Sequence, residues 1–314
     1  MTSIFVAQLL LPVILVLWMA LAPPRSRVAW GLQLIATLLV LWAMVHVGIW
    51  LFPPFWTPYA AAALVVAAAL WAWRRGARRT TWPEGTFGWS AALLFGAAGV
   101  AGIFFGARAI AGAQPPALPL VALAWPLRGG TYMVVNGGNE PTINAHMATL
   151  DAAVPRFQAW RGQSYGVDIV QINALGLRAN AVQPSEPSAY RIYGAQVLAP
   201  CTGEVVAAID GLADMQPPEP DRAHLAGNHV LLRCAEADVL LGHFRPGSLR
   251  VAVGAQVGSG DLIAEVGNSG NTGEPHLHVH AQRPGPPGAP MGGEPLPITL
   301  GGRFVVRGER IELP

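Results

Sequence analysis

Apolar and polar positions divide this chain into two regimes. The first 113 residues carry four long uncharged runs, at 4–22, 28–52, 58–73 and 88–107, with Trp near several of their ends. A run of about 19 apolar residues matches the roughly 30 Å hydrocarbon core of a bilayer. Four transmembrane α-helices are therefore expected in a membrane region over 1–113. After "AQPPALPLVALAWP", read as a Pro-punctuated linker at 114–130, the pattern changes. Short β-branched runs such as "TYMVV", "YGVDIVQI", "GEVVAAI", "HVLLRC", "DVLLGHF" and "HLHVHAQ" are separated by Gly, Pro and Asn. That punctuation predicts a mostly β domain over 131–314. "LRANAVQPSEPSAY" and "LADMQPPEPDRAHLAG" read as exposed loops, and no repeat of fixed period is seen.

Composition supports the division. The chain is 52% hydrophobic and 12% charged, against about 25% charged in an ordinary soluble domain. A net charge of +2 gives no basis for a nucleic-acid partner. All 20 basic residues are Arg. With no Lys to carry biotin or lipoate, a swinging-arm carrier is excluded despite the Gly-rich "VLAPCTGEVV" and "VAVGAQVGSGDLIAEVG". The Arg residues also set an orientation. Arg25 and Arg27 lie between the first two runs, and Arg74, Arg75, Arg78 and Arg79 between the last two, so both basic loops are expected in the cytoplasm. Both termini and the whole C-terminal domain then face the extracytoplasmic space. The all-Arg, Ala-rich usage suggests a GC-rich bacterial genome, and the spans are expected in a bacterial inner (cytoplasmic) membrane, with the lipid bilayer as one partner. Four runs whose only ionisable group is His46 read as an anchor rather than a transport path.

Three stretches bear chemistry. "SYGVDIV" places Asp168 on a predicted strand, "LLGHF" places His243 at a strand end, and "GEPHLHVHAQ" puts His276, His278 and His280 on one strand face. Imidazole and carboxylate are zinc ligands, and catalytic zinc keeps three protein ligands with a fourth position open. Of the other histidines, His224 and His229 read as loop and strand residues. Cys201 and Cys234 are the only cysteines. An oxidising compartment permits a disulfide between them, and two buried thiols are the alternative.

Over residues 131–285 the chain resembles the lysostaphin/LytM-type zinc metallopeptidases, which cut peptide cross-links of bacterial peptidoglycan. "YGAQVLAPCTGEVV", "GNHVLLRC", "VLLGHF", "GSLRVAVGAQVGSGDLIAEVGNSG" and "PHLH" carry the likeness, in order. The resemblance implies an antiparallel sheet with a groove and one zinc ion bound by Asp168 and His278. It also implies His243 and His276 as catalytic partners and peptidoglycan or another peptide as substrate. His280 is expected at the groove rim as a bystander. One departure stands out. The metal-binding His of the family's H-x-x-x-D motif falls on Ser164, and serine is a poor zinc ligand. Two readings follow. Either His146 substitutes, as in similar members with an Asn-x-His segment ahead of Gln-x-Tyr-x-x-Asp (here Asn144, His146, Gln163, Tyr165 and Asp168). Or the domain is degenerate and binds cell wall or regulates a partner hydrolase.

Overall fold

The computed structural model describes residues 2–75, 80–286 and 288–314. Arg78 and Arg79, used above for orientation, lie outside the described residues. The chain divides into two compact units, Met1–Ala111 and Gly112–Pro314.

The first unit contains four helices: α1 (Thr2–Leu21), α2 (Arg27–Val47), α3 (Thr57–Arg75) and α4 (Gly85–Gly112). Three of them, at Ile4–Leu21, Arg27–Val47 and Gly85–Gly112, are long and apolar enough to cross a membrane. This corrects the expected four. The third run does form a helix, but it is Ala-rich and ends in Arg74 and Arg75. The second expected run also ends early: α2 stops at Val47 and Gly48 leaves helical geometry. An odd number of crossings does not return a chain to its starting side, so the placement of both termini no longer follows from the helices. Gln8 is buried in this unit and satisfies backbone beyond α2. Its Nε2 donates to the Ile49 carbonyl at 2.9 Å, and its Oε1 accepts from the Ile49 N–H at 2.7 Å. Backbone groups left by a broken helix need such partners in an apolar setting.

The second unit is built of short strands. They are β1 (Val121–Leu123), β2 (Gly130–Asn136), β3 (Val167–Ile172), β4 (Gln196–Leu198), β5 (Gly203–Ile209) and β6 (His229–Cys234). There follow β7 (Ala237–Gly242), β8 (Gln256–Val257), β9 (Leu262–Glu265), β10 (Leu277–Gln282), β11 (Pro295–Leu296), β12 (Ile298–Leu300) and β13 (Arg310–Leu313). The main sheet runs β13-β2-β3-β10-β7-β6-β5-β8, with β11 also on β10, and its ladders are antiparallel. β1 falls within the stretch read as a linker. It pairs in parallel with β12, and Leu123 and Leu127 are buried in the domain core.

Strand alternation sorts the residues. On β3, Val167 and Ile169 enter the hydrophobic core, and on β10 so do Leu277, Val279 and Ala281. With a two-residue period, Asp168 and the pair His278 and His280 must take the opposite face. Cross-strand register then sets His278 opposite Asp168 on one side and opposite Gly242 on the other. The sheet center is therefore polar on one face for a reason visible in its pattern.

Candidate metal centre

Asp168 is the hub of the polar face. His278 Nδ1 donates to its Oδ1 at 2.7 Å, and His146 Nε2 to its Oδ2 at 2.9 Å. His276 Nε2 stands 3.6 Å from Oδ1. Burial alone would raise the Asp168 pKa. The charges of His146 and His276 and hydrogen bonds from His146 and His278 outweigh it and hold the carboxyl well below its ordinary range. The ligand-type atoms of His146, Asp168 and His278 all lie within 4.8 Å of one another and could hold a metal ion.

His146 reaches this point from a separate segment. Asn144 caps the short 3-10 helix Ala145–Leu150, accepting from the His146 N–H at 3.2 Å. Its own Nδ2 donates to the carbonyls of Gly138 and Gly166, both at 3.1 Å. Gly166 gives the imidazoles room: a β-carbon there would come within 2.8 Å of His278 Cε1 and 3.3 Å of His146 Cδ2. Ser164 is fully buried and turned elsewhere, its hydroxyl donating to the Arg161 carbonyl at 2.6 Å.

His243 and His276 complete the group, with ring centroids 4.7 Å apart. His243 follows β7 in left-handed backbone, φ 64°, a conformation uncommon outside glycine. Its Nδ1 donates to the Ser269 carbonyl at 2.8 Å, and His276 Nδ1 donates to the Glu274 carbonyl at 2.9 Å. In a neutral imidazole that leaves His243 Nε2 as an acceptor. Burial, with His276 and His278 nearby, pushes the His243 pKa well below its usual value, so the ring is neutral near pH 7.

Sequence reasoning missed three features. His280 is not at the rim but fully buried, its Nδ1 2.8 Å from His278 Nε2. Gln282, two residues on, explains why: it donates to the Pro290 carbonyl at 3.1 Å and accepts from the Gly293 N–H at 3.1 Å, so a loop covers that end of β10. Asn136 donates to Asp168 Oδ2 at 2.8 Å. Its amide is oriented by Arg307, which donates to its Oδ1 at 2.8 Å, and burial lowers the Arg307 pKa to about 10. Finally, the start of the first expected loop is anchored. Arg178 forms a buried ion pair with Glu274, Nη2 to Oε2 2.9 Å, two residues before His276. Cys201 and Cys234 are joined in a disulfide, Cα to Cα 6.0 Å. His224 pairs with Asp221 in an exposed loop, and His229 is buried on β6, donating to the Gly227 carbonyl at 2.7 Å.

Such a sheet brings imidazoles and a carboxylate together on one face in a group that could hold a metal ion. Residues 190–290 match Peptidase family M23, and the chain carries a domain of that family. The match includes His243, His276, His278 and His280 and stops short of Asn136, His146, Asp168 and Arg307. Among solved structures, the chain is similar to the catalytic domain of lysostaphin from Staphylococcus simulans. Identity there is 23% over 38% of this chain and 66% of that one, with a TM-score of 0.25. It is also similar to a zinc containing peptidase from Vibrio cholerae, at 22% identity over 40% of this chain and 29% of that one, TM-score 0.24. A third is the catalytic domain of an A109H mutant of the prophage-encoded M23 protein EnpA from Enterococcus faecalis. It is 26% identical over 31% of this chain and 72% of that one, TM-score 0.20. The chain spans less than two thirds of the length of the first two. The comparison with curated proteins gave no match.

Proposed function

We propose that this protein is a membrane-anchored zinc metalloendopeptidase that hydrolyses peptide bonds, with peptidoglycan cross-links as its substrate class. The observation that carries this reading is the approach of His146 to Asp168 beside His278. Two imidazoles and one carboxylate make a three-ligand set of the kind that leaves a fourth position open, as catalytic zinc requires. Because His146 supplies the imidazole that Ser164 cannot, the degenerate reading loses its main support.

Zinc bound there would supply Lewis acidity toward a carbonyl and toward water. The chain's own groups supply the rest. His243, buried and neutral with Nε2 free to accept, takes a proton from the attacking water. His276, partly open to solvent, is held by the Glu274 carbonyl so that its Nε2 faces the same space. With Nε2 protonated it would stabilise charge developing on the substrate oxygen, and the proton that His243 has taken goes on to the leaving amine. Asp168, the third member of the ligand set, keeps its negative charge throughout. The Cys201–Cys234 disulfide favours an extracytoplasmic setting for this domain, where peptidoglycan lies.

The test is metal content and peptidase activity of the purified full-length chain in detergent. About one zinc per chain is expected, with release of peptides from purified peptidoglycan that a chelator stops and added zinc restores. Absence of bound metal overturns the reading.

A further inference from the structure

His278 has both ring nitrogens engaged, and its second partner is another imidazole. Nδ1 faces Asp168 Oδ1 at 2.7 Å and Nε2 faces His280 Nδ1 at 2.8 Å. His280 is fully buried, and its remaining nitrogen, Nε2, is buried without a hydrogen-bond partner among the described residues. A neutral imidazole has one N–H and one lone pair, so these contacts fix the proton positions. An ionised Asp168 only accepts, which puts the His278 proton on Nδ1. His278 Nε2 is then an acceptor, His280 Nδ1 must be the donor, and the solitary His280 Nε2 is a bare lone pair.

We infer that His280 is a positioning residue whose ring switches tautomer with His278, giving His278 an N–H acceptor when its Nδ1 turns from donor to metal ligand. This rests on the zinc site proposed above. A His278 that gives its Nδ1 lone pair to a metal must carry its proton on Nε2. Among the described residues the partner of that nitrogen is His280 Nδ1, which must then accept. The protons balance: one leaves His278 Nδ1, and the shared one crosses from His280 Nδ1 to His278 Nε2. His280 Nε2 gains one as His278 Nδ1 loses one, so both rings stay neutral. A carbonyl or carboxylate in place of His280 could only accept, and would fix the ligand tautomer permanently. An imidazole can serve both states, and its partnerless Nε2 is the end at which the change is absorbed. Metal-ligating histidines generally pass their other N–H to an acceptor of this kind, and loss of that acceptor lowers metal affinity about 10–100-fold.

The experiment uses the full-length chain in detergent, with ¹⁵N-labelled histidine and zinc affinity measured by competition with a chromophoric chelator. In the metal-free protein, His278 and His280 should both show protonated Nδ1; with zinc, both should show protonated Nε2. His280→Phe should lose about 10–100-fold in zinc affinity, while His280→Gln, whose amide oxygen can accept, should stay within a few-fold of the native chain. If His280→Phe misfolds, the nitrogen signals of the native chain and the Gln variant decide. Unchanged zinc affinity in a folded His280→Phe, or a zinc-loaded His280 still protonated at Nδ1, overturns the inference and leaves the peptidase reading intact. A native chain that binds no zinc overturns both.

Discussion

The hydroxyl oxygens of Ser164 and Thr149 lie 2.8 Å apart. Thr149 donates to the His146 carbonyl at 2.7 Å and Ser164 to the Arg161 carbonyl, so Ser164 packs against the residue that braces the helix carrying His146. The two positions should therefore respond differently to truncation. His146→Ala removes a ligand and should lower zinc affinity by more than 100-fold. Ser164→Ala loses one buried hydrogen bond, costing about 1 kcal/mol of stability, and should retain the metal. Chelator competition on both variants checks this; equal losses would place Ser164 in the ligand set.

Gly166 is required for close approach rather than for turn geometry. A methyl there meets the Gln163 carbonyl and His278 Cε1, each at 2.8 Å. Overpacking of this kind costs about 1–3 kcal/mol. Gly166→Ala should lower the thermal midpoint and weaken zinc binding together, because relief requires the two imidazoles to part. A variant with native zinc affinity would show that the site yields elsewhere.

The Arg178–Glu274 pair is almost without solvent contact, with side chains 3% and 4% exposed. Removing one member leaves a buried charge, typically at a cost of about 3–5 kcal/mol. Glu274→Ala should thus destabilise strongly in denaturant unfolding. Arg178→Met combined with Glu274→Leu should be much closer to native. If the double variant is as unstable as the single, the ion pair stabilises the His276 loop through more than charge compensation.

Acid should destabilise the metal-free protein early. Burial lowers the pKa of His243 and of His280 well below the usual value. An unfolded histidine titrates near pH 6.5, so below that pH the unfolded chain binds more protons than the folded one. The stability these residues contribute is complete above about pH 6.5 and is lost as pH falls toward their folded values. Asp168, also depressed, adds a second loss below about pH 3.9. Two histidines give a limiting slope of about 2.7 kcal/mol per pH unit. Unfolding midpoints between pH 8 and 5 measure it, and a flat profile would mean that these rings are not held neutral.

The sequence made the alternating faces of β3 and β10 legible, because a two-residue period forces Asp168, His278 and His280 away from Leu277 and Val279. His243 and His276 were visible from their strand contexts. His280 was misplaced because its burial depends on Gln282 binding a loop about ten residues further on, which no local pattern encodes. Asn136 and Arg307 escaped notice for a similar reason: they are 171 residues apart and gain meaning only when β13 lies beside β2. The third membrane run failed on composition, since alanine makes a good helix without the hydropathy of leucine or valine.

The wide sequence spacing of the centre also has a temporal consequence. His146 and Asp168 emerge from the ribosome more than a hundred residues before His278, 110 residues after Asp168, and Arg307 follows later still. A nascent chain folding from its N-terminal side holds two of the three candidate ligands without the third for about a third of its synthesis. The candidate metal centre is therefore assembled among the last features of the molecule. A chain truncated before β10 would be metal-free and inert, however well its earlier strands had folded.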